Sequence, residues 1–554
     1  MGLHAAVFNV NDFGADPKGK KNSLPAVCSA IAAARKKQSP RERQVIQFGA
    51  GTYMLSLNDV TSKAPVIGVR EGINLTIQGV KGKTTLILPL YHSFMSLNSC
   101  LNAEVRNFIV DRDDVPVSQF VVREVKPKDM TFTAELMEGY GDPAGWFDKL
   151  ANPPFGVLFD PATRLIPQGG QNFQRMKKIE SLGNRLFRFT SLMSIDKFRP
   201  GDLWAQTKRD LGGGSISTTC STNTLLEDIT IYNSAGINFV QKRGRDLTLR
   251  RVNILLKPGS TQLVAAAGDG IHLKAIRGKV VIDGCTIERL TDDGINFNRV
   301  YPELGRVVSS TEIEIPWGDS YEVFPGDRID IMIPETGSIR GRAKVLSVKT
   351  AGKTHTVRFD KPIAGMKSDD GTGVPDQVWI NDDDTSFLVK NCTFRDLRGR
   401  GVLLRSGHVT LLNNVFLNIS SPAIVVENDF TIPEGMVSSG YVFRGNRMIT
   451  CGYDGHMNAG DTAPITIKGF NLKRQPAGGR LFNDFIIENN VITDCPGHVL
   501  SVTSAGNVVF RGNMIQQKKE WKVPYPKKAV CINNAENVII APDNKLNGRS
   551  LADQ

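Results

Sequence analysis

Apolar and polar residues alternate in short runs along most of this chain, and the runs repeat. Phe387-Leu388-Val389-Lys390-Asn391-Cys392-Thr393-Phe394, Val409-Thr410-Leu411-Leu412-Asn413-Asn414-Val415-Phe416 and Phe485-Ile486-Ile487-Glu488-Asn489-Asn490-Val491-Ile492 share one design. Each is a strand with alternate residues apolar, a turn at Asn or Gly, and a second apolar stretch; 75–79 and 280–287 belong to the same set. A period of two is that of a half-buried strand. Recurrence roughly every 20–25 residues predicts a parallel β-helix, each coil stacked on the last.

A second set of runs gives the expected register. Ala235-Gly236-Ile237-Asn238-Phe239, Asp269-Gly270-Ile271-His272-Leu273, Asp293-Gly294-Ile295-Asn296-Phe297, Arg400-Gly401-Val402-Leu403-Leu404 and Pro422-Ala423-Ile424-Val425-Val426 read as five successive rungs of one sheet, aligned residue for residue. Asp269 and Asp293 are 24 residues apart, which is one coil, so their rungs should lie ~4.8 Å apart.

Two segments break this rhythm, with charged strands and Pro-Gly-Asp turns at 200–202 and 325–327. They predict two small antiparallel β-barrels inserted between coils. The expected organisation is a cap helix and first coils (1–102), an inserted barrel (103–210), coils carrying the candidate chemistry (211–302), a second barrel (303–385) and C-terminal coils (386–554). The first excursion returns through Gly212-Gly213-Gly214. Residues 22–37 read as an amphipathic helix with Ala26, Val27 and Ile31 on one face, covering an end that would otherwise be an open sheet edge.

Composition narrows the class. Of 554 residues, 40% are hydrophobic and 22% charged, which excludes a disordered chain. No apolar run nears the ~18 residues of a membrane helix, so no membrane span is expected. Lys and Arg exceed Asp and Glu by 68 to 56, a net charge of +12. The basic residues are scattered among 18–21, 35–37, 175–178, 243–251 and 518–528 without interleaved aromatics, so a solvated surface is expected and no nucleic-acid partner. Eight cysteines without a CxxC pair exclude a Cys-based zinc site and a disulfide scaffold. Four of the five tryptophans (Trp146, Trp204, Trp317, Trp379) fall in the inserted segments. No signal peptide is visible at the N-terminus.

The chemistry concentrates in acidic residues. Two consecutive rungs place Asp269 and Asp293 in one column, and Asp292 directly precedes the second. A lone Asp at such a corner caps a turn. Three in register raise one another's pKa, an arrangement a fold would not keep for stability alone. Carboxylates flanking one bond are what glycoside hydrolysis requires, one protonated and one ionised. The neighbouring column adds Asn238, His272 and Asn296, suited to sugar hydroxyls. Arg400 follows in the Asp column, and Glu427 and Asp429 come after the fifth rung. Gly82-Lys83-Thr84 has Ile77 where a phosphate loop needs its first Gly. Asp382-Asp383-Asp384 reads as a solvated loop rather than a calcium site. No metal and no cofactor are expected.

Asp269-Gly270-Ile271-His272, followed by Asp292-Asp293, resembles the active-site segment of glycoside hydrolase family 110, the inverting exo-acting α-1,3-galactosidases. The segments 400–404 and 423–427 are similar as well, and the resemblance runs from Phe8 to about residue 515. It implies a right-handed β-helix with two barrel insertions, candidate catalytic carboxylates at Asp269, Asp292 and Asp293, and substrate contacts at His272, Asn296, Asn298, Arg400, Glu427 and Asp429. It also implies release of terminal galactose with inversion, and a secreted or periplasmic protein whose signal peptide has been removed. The expected partner is a galactose-terminated glycan, sulfated galactans being included because of the +12 charge, and a homodimer is among the assemblies considered. The chain departs from the family at Asn298, where His is usual, and at 428–432. The polygalacturonases of family 28 have a similar Asp and Asp-Asp spacing, but their Gly-His-Gly and Arg-Ile-Lys segments are missing in order; Ser406-Gly407-His408 is only a faint echo. A non-catalytic glycan-binding β-helix and a lyase on an acidic polysaccharide are the remaining alternatives.

Overall fold

The computed structural model describes residues 5–551 except 60–61, 148–154, 170–172, 210–212, 317, 319–320, 370, 372, 436, 455–462 and 522–524. The first four residues, Gly212, Trp317, the middle of the 518–528 basic cluster and the side chain of Trp146 lie outside the described residues.

The alternating runs form a parallel β-helix. Among the described residues two long parallel sheets carry it, one of 24 strands and one of 11 with edges at Pro65–Arg70 and Val530–Asn533. Alternation sends every second side chain inward. Ile271, Ile295, Val402, Ile424, Ile465 and Leu500 make one such column across six rungs, each 0% exposed. Burying one side chain of this size contributes ~1.5–3 kcal/mol. Rings stack the same way, Phe394 on Phe416 at 5.0 Å and Tyr441 on Phe485 at 4.4 Å between centroids.

The Asn and Gly punctuation has a physical origin. Asn413, Gly445, Asn489 and Gly512 have φ of 54°, 67°, 55° and 61°, the left-handed region that Gly and Asn enter most easily. The next residue points inward in each case. Asn414, Asn446, Asn490, Asn513 and Asn544 form a buried ladder, each amide nitrogen donating to the next side-chain oxygen at 2.9–3.0 Å. Each also donates to a backbone carbonyl, those of Val389, Leu411, Phe443, Ile487 and Phe510. Polar turn groups are thereby satisfied inside an apolar stack.

A helix at Leu24–Lys36 lies against the first coils. Leu24, Ala26, Val27, Ala30, Ile31 and Ala34 form its buried face, and Pro25 stands in its first turn, where its missing N–H has no helical partner to lose.

The coil strand Glu104–Arg112 still belongs to the large parallel sheet; the first insertion then closes as a six-stranded antiparallel barrel between Val117 and Thr207. Phe120, Phe132, Phe189, Phe198 and Trp204 fill it, Phe132 stacking on Phe189 at 4.7 Å. Gly156 is required here, since a Cβ would sit 2.0 Å from the Trp204 ring. The second insertion is a six-stranded antiparallel sheet from Arg306–Ser309 to Gln377–Asn381, and a bridge between Glu303 and Gln377 joins its two ends.

The structure changes two expectations. Phe239 pairs with Ile271 and Val240 with His272, so the 235–239 run is displaced by two residues from the letter-by-letter alignment. Hydrogen bonding between strands sets register, and the shared Gly-Ile pair misled. Asn238 consequently stands beside Gly270 and donates its side-chain amide to the Asp269 carbonyl at 3.0 Å. The Asp382–Asp384 run is a solvated loop only in part, with Asp383 and Asp384 exposed but Asp382 buried. Asp382 is buried against Arg299 and bonds Thr385, and Asp384 pairs with Arg245 at 2.7 Å. Beside them Arg277 grips Asp327 with two bonds of 2.8 Å, fastening the second insertion to the coils.

Candidate active site

The 11-stranded sheet orders the candidate residues in columns. His272 faces Asn296 across Ile271–Lys274 and Ile295–Asn298, and Lys274 faces Asn298, which faces Arg405. At the incoming corner, Gly270 N–H donates to Asp293 O and Gly294 N–H to Arg400 O, each at 2.9 Å. Asp269, Asp293 and Arg400 therefore occupy one column on three successive rungs. Asp292 stands one residue earlier, flanked on neighbouring rungs by Gly268 and Gly399. A Cβ on Gly399 would lie 2.4 Å from the Asp292 carbonyl carbon, so the close packing of this corner depends on glycine.

The three carboxylates converge, one oxygen of each lying within 4.8 Å of the others. Each has its own partner. Asp269 Oδ2 is 2.6 Å from His272 Nδ1, and His272 Nε2 is 2.9 Å from Asn298 Nδ2. The His272 ring is thus held at both nitrogens, by Asp269 on one side and Asn298 on the other. Asn298 also donates to Asn296 Oδ1 at 3.1 Å. Asp293 accepts the Arg400 N–H at 2.8 Å, and the Arg400 guanidinium lies 3.3 Å from its Oδ2. Asp292 takes Arg209 Nη1 at 2.5 Å.

These surroundings separate the titrations. Burial raises Asp269, and the charge of Asp292 adds to the rise against the pull of His272. Burial also raises Asp293, to about 6, Arg400 opposing it and the other two carboxylates reinforcing it. Burial acts upward on Asp292 too, but Arg209 and Arg398 outweigh it and hold that carboxyl below the usual range. One corner thus offers a carboxyl held ionised beside carboxyls inclined to carry a proton, the pairing acid–base chemistry needs.

Arg400 Nη2 continues to Glu427 at 3.0 Å. Glu427 also meets Arg405 at 3.3 Å, and Arg405 binds Glu434 and lies 3.6 Å from Asp429. Lys274 is 3.6 Å from Glu434, and Arg474 is 3.2 Å from Asp429. Asp269, Asp292, Asp293, His272, Asn296, Asn298 and Arg400 are brought together directly. Glu427 joins them through Arg400, and Asp429 stands further out, bonded to Thr431 and Arg474.

Sequence reasoning missed Arg209, Arg398, Arg405, Lys274 and Glu434. Arg405 and Lys274 could have been found by extending the Asn298 column by one rung in each direction. Arg209 comes from the end of the barrel segment, where no repeat marks it. The barrel also supplies Phe155 and Phe173, whose rings lie 5.6 Å from the Arg209 guanidinium and 4.4 Å from that of Arg398, contacts that steady cations against aromatic faces.

Residues 376–548 match a family model described as a right handed beta helix region, and the coils are of that right-handed type. The chain is 22% identical to alpha-1,3-galactosidase B of Phocaeicola vulgatus, covering 97% of this chain and 96% of the relative. It is 24% identical to alpha-1,3-galactosidase A of Bacteroides fragilis, covering 91% and 86%. Among solved structures, an exopolygalacturonase from Thermotoga maritima is similar with a TM-score of 0.43 at 12% identity, covering 96% of this chain and 93% of that one. The relatives similar over nearly the full length of this chain are thus named for cleavage of α-1,3-linked galactose.

Proposed function

We propose that this protein is an exo-acting glycoside hydrolase of the family 110 type, releasing terminal α-1,3-linked galactose with inversion. The observation that carries the reading is the convergence of Asp269, Asp292 and Asp293 within 4.8 Å, each against a different partner. The names of the relatives supply the substrate. One carboxyl protonates the leaving oxygen as the C1–O bond breaks, and another takes a proton from the water that attacks C1. Asp293 and Asp269, both raised, suit the protonated role; Asp292, held ionised by Arg209, suits the role of base. His272, Asn296, Asn298, Arg400, Glu427 and Asp429 are the proposed galactose contacts.

Inversion comes from the family resemblance. The anomer released first is therefore the measurement that tests it. Proton NMR of the protein with galactosyl-α-1,3-galactose should show β-galactose before mutarotation. α-Galactose first would replace inversion with retention, and an unchanged spectrum would overturn the substrate.

A further inference from the structure

On the rungs just before that of Asp269 lies a hollow of about 320 Å³, at the lower end of the ~300–1,000 Å³ usual for small-ligand sites. It lies over the rungs preceding the carboxylates, Ser93–Asn98, Ile216–Thr219 and Phe239–Lys242. Its wall includes Ser93, Gly214, Ser217, Gly236, Val240 and Arg209.

The hollow follows from the sequence. The corner positions that carry Asp269 and Asp292 on their own rung and the next carry Ile237 and Gly236 one rung earlier, and Gly214 before that. These glycines permit close stacking: a Cβ on Gly214 would be 2.2 Å from the Ile237 carbonyl oxygen, and one on Gly236 2.8 Å from the Gly214 nitrogen. The open space comes from the next column, where His272 gives way to Val240 and then Ser217.

The opposite flank is different. Past Asp293 the surface carries Arg400, Glu427 and Arg405, and residues 428–435 fold against it. Asp429 pairs with Glu434, Val300 bridges to Glu434, and Gly435 N–H donates to Arg299 O at 2.9 Å. An exo-acting hydrolase must enclose the terminal sugar and leave room for the rest. The walled flank, dense in charged and amide groups, fits the terminal galactose. The hollow fits what departs.

We propose that this hollow is the leaving-sugar site, receiving the pyranose beyond the scissile bond, with the Ser93 and Ser217 hydroxyls and the Arg209 guanidinium facing its hydroxyl groups. The proposal rests on the galactosidase reading above, and two substrates keep them separable. Galactosyl-α-1,3-galactose needs the hollow; α-galactosyl fluoride, whose leaving group is a single ion, does not.

Ser217 is partly exposed, and its strand is separated from that of His272 by the Phe239–Lys242 strand, so Ser217→Trp fills the space without touching the carboxylates. We expect kcat/KM for the disaccharide to fall at least tenfold, with the fluoride changing less than twofold and circular dichroism unaltered. Ser217→Ala, which removes the hydroxyl but leaves the hollow open, should lower kcat/KM for the disaccharide by less than Ser217→Trp does, and again spare the fluoride. Ser93→Trp repeats the test from a neighbouring strand if Ser217→Trp does not fold. Equal losses on both substrates, or no loss on either, would overturn the leaving-sugar site. Failure of the wild type on both would instead overturn the galactosidase reading and this proposal with it.

Discussion

Asp293 is the residue where function and stability pull apart. Its carboxyl, ordinarily near 3.8, is raised to about 6 by burial in spite of Arg400. A carboxyl raised in the folded state favours folding while protonated, and that contribution is lost as pH climbs from the unfolded value through about 6. Asp293→Asn should therefore raise the thermal midpoint at pH 7, by an amount equivalent to ~2–3 kcal/mol, and change it little at pH 4; a lower midpoint at pH 7 would contradict the assignment. The same substitution, and Asp269→Asn, should reduce galactose release ~10²–10⁴-fold, near-normal turnover in both folded variants being the contrary result. If Asp293 donates the proton, activity should decline as pH rises through about 6. The carboxylates, His272 and Arg400 were legible because the coil repeat puts their columns in view. Arg209 was not, since one arginine at the end of a non-repeating segment carries no mark of where the chain returns. Asn238 was misplaced because letter matching ignores which N–H faces which carbonyl.

Within the coils, the asparagine ladder turns a sequence habit into a mechanical element. Asn490 accepts from both the backbone and side-chain nitrogens of Asn446, donates both of its own to Asn513, and donates to Phe443 O. Asn490→Ala would strand several buried polar groups at once. We expect a loss on the order of 3 kcal/mol, read as a shifted urea midpoint with an unchanged denaturant slope; a shift no larger than that of an exposed Asn→Ala would deny the ladder this role. The ladder's spacing was readable as Asn after Asn or Gly in successive repeats. Its function was not, because the same letters also serve exposed turns. The insertions were legible as small antiparallel units from their Pro-Gly-Asp turns and broken rhythm, but not in their strand order. Their strand order follows from pairing between distant segments such as Val117–Lys126 and Leu203–Thr207, which local pattern does not encode.

At the scale of the whole molecule, the parts are joined by buried charge. Arg277 and Asp327 are each 6% exposed in their side chains, and removing one partner leaves the other uncompensated. Arg277→Met should lower stability by ~3–5 kcal/mol, measured by chemical denaturation, and a near-neutral result would mean that the second insertion is held by its apolar contacts alone. The +12 net charge acts over longer distances. Galactosidase activity on a neutral disaccharide should be insensitive to salt between low and high ionic strength, whereas a sulfated substrate drawn to the surface should lose kcat/KM as salt rises; identical salt profiles would remove charge from substrate choice. The first barrel matters in another way. Its returning segment brings Arg209 to Asp292, and its Phe155 and Phe173 flank the two arginines that compensate that carboxylate. Adjacent aspartates can be written into any stack of coils, but a plain stack would have to protonate one of them or hold it apart from its neighbour. Moving this chemistry to another solenoid therefore means moving the barrel with it: the unit of transfer is a junction between two architectures.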